Sequence, residues 1–178
     1  MTIRTAAGAL MIAALAAALP AAQVKKGDLP GVTNFSRVDA TVGCGGATQP
    51  AAMGELKKEG FKSVINLRLA SEPGAEIEAS RTAAQQAGLK YIHLPFDAAS
   101  PDPHLVDNFL AAVADTANQP VYIHCASANR VGSVWMIKRA LQDGWTIDKA
   151  GQEAEAIGLS NPRLKAFATE YILAHKKQ

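Results

Sequence analysis

The sequence predicts an α/β fold: a mainly parallel central sheet flanked by helices. Three observations predict it. Short apolar runs of strand character alternate with longer segments of helical periodicity, the pattern of a parallel sheet wrapped by crossover helices. Helix-starting signals such as Asn161-Pro162 and helix-closing glycines such as Gly60, Gly88 and Gly144 fall at the joins. A length of 178 residues without internal repeats fits one domain.

The elements follow in order. Residues 23–33 are polar, with lysines and a proline, and are expected to form a flexible lead-in to a domain spanning 34–178. Phe35 to Val42 suggests a first strand and its turn. Pro50 suits the first position of a helix that ends near Gly60. Phe61 to Leu67 is a short apolar strand. Gly74 to Ala87 is rich in alanine and glutamate and is closed by Gly88, as a helix would be. Lys90 to Leu94 reads as another strand, and Pro95 to Pro103 as a loop of proline and aspartate. Leu105, Phe109, Ala112 and Val113 recur at helical spacing. Val121 to His124 is the central strand, followed by a helix carrying Val134, Ile137, Arg139 and Leu141. Thr146 to Ile157 forms a further helix. Asn161-Pro162 opens the last one, with Leu164, Phe167, Tyr171 and Ile172 facing inward.

Composition narrows the function. Charged residues make up 19% and apolar ones 48%, an ordinary globular balance, and the net charge is +2. That balance offers no broad basic field for nucleic acid. Residues 1–22 stand apart: a cationic start at Arg4, an apolar stretch from Ala6 to Leu19, then small residues after Pro20. This is the pattern of a cleaved secretory signal peptide. The expectation is export to a bacterial periplasm, with no stable membrane association after cleavage. In such a compartment the only two cysteines, Cys44 and Cys125, are candidates for a disulfide. The plainer reading makes Cys44 a small residue in the glycine-rich turn Gly43-Cys44-Gly45-Gly46.

The chemistry concentrates in Val121-Tyr122-Ile123-His124-Cys125-Ala126-Ser127-Ala128-Asn129-Arg130-Val131-Gly132-Ser133. A strand ends at a His-Cys pair, four residues follow, and an arginine opens a helix. That order sets a thiol at the mouth of a strand-to-helix loop, beyond the carboxyl end of a parallel strand, where such folds bind ligands. The loop N–H groups and the positive end of the helix converge there on an anion. Arg130 stands at the end of a helix that disfavours a cation, unless an anion accompanies it. Its planar fork suits two oxygens of one phosphoryl group.

His124-Cys125-x4-Arg130 resembles the active-site loop of the cysteine-dependent phosphatases, the protein-tyrosine and dual-specificity group, whose usual loop has one more residue. The shorter form is similar to a bacterial branch, the beta-lactamase hydrolase-like phosphatase domain. Thr48-Gln49-Pro50 resembles the early Gly-Gln-Pro turn of that branch. Ser63 to Arg68 is similar to its Val-Ile-Asn-Leu-Arg strand, and Ala87 to Pro95 to the strand before its acid loop. The likeness runs from about Asn34 to about Leu159. It implies a dual-specificity-phosphatase-like fold and a phosphoester hydrolase that needs no cofactor and no metal. The substrate would be a phosphorylated protein or a small phosphoester.

The resemblance also implies roles. Cys125 is the nucleophile that forms a thiophosphate, and Arg130 binds phosphate oxygens and stabilises the transition state. Ala126, Ser127, Ala128 and Asn129 line the cradle, mainly through their backbones. His124 shapes the loop by hydrogen bonding to its backbone. The leaving group needs a proton from a carboxylic acid on a neighbouring loop. Asp97 matches that position, with Asp102 as the alternative acid or, equally, a helix cap. Arg68 and Glu72 follow a strand end on the same side and either support the loop, touch substrate or form a plain ion pair. One departure stands out: Ala128 replaces the usual glycine, and a left-handed conformation there would add strain of roughly 1 kcal/mol. Two other functions remain open. A rhodanese-like sulfurtransferase also uses a cysteine in a short anion-cradling loop, and a catalytically weak anion-binding module would fit Ala128.

Overall fold

The computed structural model describes residues 23–176. The expected signal peptide at 1–22 lies outside the described residues. Six strands form one sheet in the order β1-β2-β3-β6-β4-β5. They are β1 (Lys25–Lys26), β2 (Ser36–Arg37), β3 (Val42–Gly45), β4 (Ser63–Asn66), β5 (Lys90–His93) and β6 (Val121–His124). The strands β3, β6, β4 and β5 run parallel, while β1 and β2 add an antiparallel edge. The mainly parallel α/β expectation describes this sheet.

Six α-helices cover it: α1 (Met53–Lys58), α2 (Ile77–Gln86), α3 (Pro103–Ala114), α4 (Asn129–Leu141), α5 (Ile147–Ile157) and α6 (Pro162–His175). Their starts follow the sequence signals. Pro50 opens a 3-10 turn that runs into α1. The Asp102 carboxylate accepts the His104 N–H at the start of α3. Thr146 caps α5, and the Asn161 side chain accepts from Arg163 and Leu164 at the start of α6.

Two regions differ from expectation. Phe35 to Val42 is not one strand: β2 and β3 are separate, joined through a turn in which Asp39 Oδ1 accepts the Thr41 N–H at 2.8 Å. Aspartate gives the backbone this local alternative to a strand. Residues 23–33, expected to form a flexible lead-in, instead carry β1 and a bridge from Leu29 to Val32. The Lys26 ammonium reaches the Ile157 carbonyl at 2.9 Å and pins this segment to the far end of α5.

The strand pleat divides the core in two. Ile65, Leu67, Ile123 and Cys125 face α3, α4, α5 and α6, whereas Val64, Tyr122 and Phe61 face α1 and α2. The central α4 is buried on almost every side, including Trp135, Met136 and Ile137. It lies close to the α5–α6 connection because Gly132 has no side chain. A Cβ there would sit 2.8 Å from the Leu159 Cβ and 2.9 Å from the Ala154 carbonyl oxygen, and that oxygen already accepts from Gly158 and Leu159.

Gly132→Ala is therefore expected to force these elements apart and to destabilise the fold by about 1–3 kcal/mol. Thermal unfolding by circular dichroism should show the melting temperature falling by several degrees, at ~2–4 °C per kcal/mol for a chain of this size. A variant that melts with wild type would show that α4 tolerates the shift.

Candidate active site

The site is built where three parallel strands end side by side. β6 stops at His124, and the Cys125 N–H turns to the Gly45 carbonyl of β3. On the other flank Leu67 N–H donates to the His124 carbonyl at 2.9 Å, and Phe96 N–H donates to the Leu67 carbonyl at 3.1 Å. These bonds bring three segments together: the Cys125 loop, the loop after β4 and the loop after β5.

Cys125 is buried to 1% exposure, and both it and Cys44 are free thiols. Cys44 lies on β3 opposite Ile123. Beyond Cys125 the chain turns sharply. Ala128 is buried with φ of 70° and ψ of −3°, the left-handed region, so the strain anticipated for alanine is present. The turn has a use. The N–H groups of residues 126–131 donate to no acceptor among the described residues. Buried or clustered backbone donors without partners are rare in folded proteins. A run of them at a helix start is an anion cradle.

The cradle is clamped from both sides. Ala47 N–H donates to the Ala126 carbonyl at 2.9 Å, and the Asn34 amide reaches the Ser127 carbonyl at 3.4 Å. Across the loop, the Asn129 side-chain oxygen accepts from both Ser160 N–H and Asn161 N–H at 2.7 Å. Ser133, further along α4, donates to the Leu164 carbonyl and faces away from the cradle.

Arg130 is held in one orientation. A guanidinium carries five N–H donors. Nη1 donates to Glu72 Oε1 and, at 3.0 Å, to the Phe96 carbonyl; Nη2 donates to Glu72 Oε2 at 2.8 Å. Glu72 is itself fixed by the Leu69 N–H at 2.7 Å and by Arg68 Nε at 3.2 Å. Arg68 in turn ties down the Pro73 and Gly74 carbonyls. The two donors left on Arg130, Nε–H and the second Nη2–H, share one edge of the guanidinium and form a fork for an anion. Burial works against the charge on Arg130, but the hydrogen-bonded Glu72 carboxylate, and after it the neighbouring Cys125 sulfur, raise its pKa. Burial also works against ionised Glu72, yet the bonds from Arg130 and Leu69 pull its pKa down to about 2. Glu72 is thus a carboxylate at every working pH and has no proton to give. It binds the arginine rather than forming a plain surface pair.

The two candidate acids separate. Asp97 is exposed and lines a cleft of about 370 Å³ together with Glu72 and Arg130. Its Oδ1 accepts the Ala99 N–H at 2.8 Å, which turns the loop. Asp102 is occupied as the α3 cap and lies outside the cleft lining. The cleft walls include Leu69, from the β4 loop, and Leu164, from α6. The sequence carried no sign that the start of α6 reaches the site. Glu72 was legible only as one of two charged residues four apart.

His124 does not make the expected bond to the loop. Its ring is buried beside the Cys125 and Gly46 backbone, but neither nitrogen reaches hydrogen-bonding geometry with any described residue. It stacks on Tyr122 instead, with ring centroids 5.7 Å apart. Burial lowers its pKa to about 4.

A buried thiol followed by a run of free N–H groups, with a helix-borne arginine fork beside it, on a sheet of this order, marks a cysteine-dependent phosphatase of the protein-tyrosine and dual-specificity superfamily. The chain belongs to the family described as Beta-lactamase hydrolase-like protein, phosphatase-like domain, which its residues 34–142 match. No curated protein matches the sequence. Among solved structures, a DUF442 phosphatase from Shewanella putrefaciens CN-32 is 23% identical with a TM-score of 0.71, over 83% of this chain and 96% of that one. P. aeruginosa TpbA, solved in complex with pTyr, is 19% identical with a TM-score of 0.67, over 89% and 99%. The catalytic core of the S. cerevisiae PP-IP phosphatase SIW14, solved with citrate, is 21% identical with a TM-score of 0.68, over 81% and 88%. These likenesses establish the fold.

One consequence concerns pH. The His124 pKa of about 4 lies below the ordinary 6.5, so between those values the unfolded chain takes up a proton that the folded one refuses. The stability gained from a neutral His124 is complete above pH ~6.5 and is lost as pH falls toward ~4. Ring NMR of the four histidines should show His124 unprotonated at pH ~5, and a His124 midpoint near ~6.5 would contradict its enclosure.

Proposed function

We propose that the protein hydrolyses phosphomonoesters through a cysteinyl-phosphate intermediate. The observation that carries this reading is the run of free N–H groups at residues 126–131, directly after Cys125, with Arg130 neighbouring the sulfur and keeping one edge open. The Cys125 thiolate attacks phosphorus, the S–P bond forms and the ester P–O bond breaks. Charge that builds on the equatorial oxygens is met by donors already aimed at it. The departing oxygen takes the Asp97 proton. The same carboxylate then accepts a proton from water, which attacks phosphorus, breaks the S–P bond and releases phosphate. Asp97 is favoured over Asp102 by its place in the cleft.

The substrate is a phosphorylated protein residue or a small phosphoester, as the pTyr complex of TpbA and the activity named for SIW14 both suggest. Export to a periplasm follows from the signal-peptide pattern at 1–22.

Phosphate release from an aryl phosphate under reducing conditions tests the reading. Cys125→Ser is expected to abolish release while still binding vanadate. Asp97→Asn is expected to slow hydrolysis roughly tenfold or more, within the range typical of general acids. Thiocyanate formation from thiosulfate and cyanide, without phosphate release, would instead assign sulfur transfer. Vanadate binding without any turnover would assign an anion-binding module.

A further inference from the structure

The charges lining the cleft say which phosphoesters it accepts. Three ionisable side chains line it: Arg130, Glu72 and Asp97. Glu72 is bonded by Arg130 and, from behind the lining, by Arg68, so both of its oxygens are engaged. With Arg68 counted, the group sums to plus one when Asp97 holds the proton for the leaving group. When it is ionised they sum to zero. The rest of the lining is uncharged: Leu69, Leu164, Ala98 and Ala99 are apolar, and Ser127, Asn129 and Asn161 are polar. Arg163 follows Asn161 by two residues, but it is exposed and outside the lining.

Resting on the phosphatase reading, we propose that this cleft selects a single phosphoryl group on an apolar or aromatic carrier flanked by neutral or basic groups, and rejects polyphosphorylated carriers. One dianion is satisfied by the backbone donors and by the open edge of Arg130. A second phosphoryl group on the same carrier meets Asp97 and uncharged wall, with no further cation in the lining to receive it. Desolvating an anion against such a surface is unfavourable, and like charge at close range adds repulsion that salt screens. Basic groups beside the phosphoester gain from the exposed Asp97 carboxylate. Specificity thus arises from disfavouring the wrong ligand as much as from holding the right one.

Three probes test this with the mature protein: a phosphotyrosine peptide flanked by lysines, the same peptide flanked by glutamates, and inositol hexakisphosphate. Each is assayed at low and near-physiological ionic strength, where the Debye length shrinks from ~30 Å to ~8 Å. The lysine-flanked peptide is expected to exceed the glutamate-flanked one in kcat/KM by roughly tenfold at low salt, with the gap closing as salt rises. Phosphate release from inositol hexakisphosphate is expected to be slower still, and to rise with salt. Binding of the three probes to Cys125→Ser reads the same preference without turnover. Inositol hexakisphosphate or the glutamate-flanked peptide binding Cys125→Ser more tightly than the lysine-flanked peptide overturns the selectivity, whatever the turnover. Absence of phosphate release from every probe overturns the phosphatase reading instead, and the binding order still decides the charge preference.

Discussion

The bidentate pairing of Glu72 with Arg130 is the constraint on which the rest of the site depends. An arginine at a helix start has long rotamers and an unfavourable dipole beside it. Left alone it would swing to solvent. Glu72 takes the end of the guanidinium, the Phe96 carbonyl takes one more donor, and a single edge is left facing the cradle. Orientation is thereby fixed before a ligand arrives, which is how an enzyme avoids reorganisation during reaction.

This pairing explains the architecture around it. Glu72 is placed by Arg68, whose guanidinium gathers the Pro73 and Gly74 carbonyls into a tight loop. Arg68 follows directly from β4, and the His93 ring at the end of β5 bonds to the Arg68 carbonyl at 2.8 Å. The neighbouring strands therefore set the position of the arginine on α4 through two loops. The parallel sheet matters because it delivers all three loops to one edge.

Much of this was legible in the chain. The order of strands and helices follows from apolar runs, caps and closing glycines, and Asn161-Pro162 and Thr146 start helices as their chemistry requires. Arg130 neighbours Cys125 and shares a cleft with Asp97. What the sequence did not show was tertiary. Glu72 and Arg68 read equally well as a local ion pair, because nothing local reveals that a helix 58 residues away supplies the partner. Leu164 gave a core signal and proves to be both core and wall. His124 failed as a backbone bonder because its strand neighbours enclose the ring and leave it against Tyr122.

Asn129 belongs to the anion loop, yet its side-chain oxygen holds two amides at the start of α6. A single side chain therefore ties the anion loop to a helix that carries no catalytic group. The C-terminal helix is thereby a part of the active site's rigidity rather than a mere covering of the sheet.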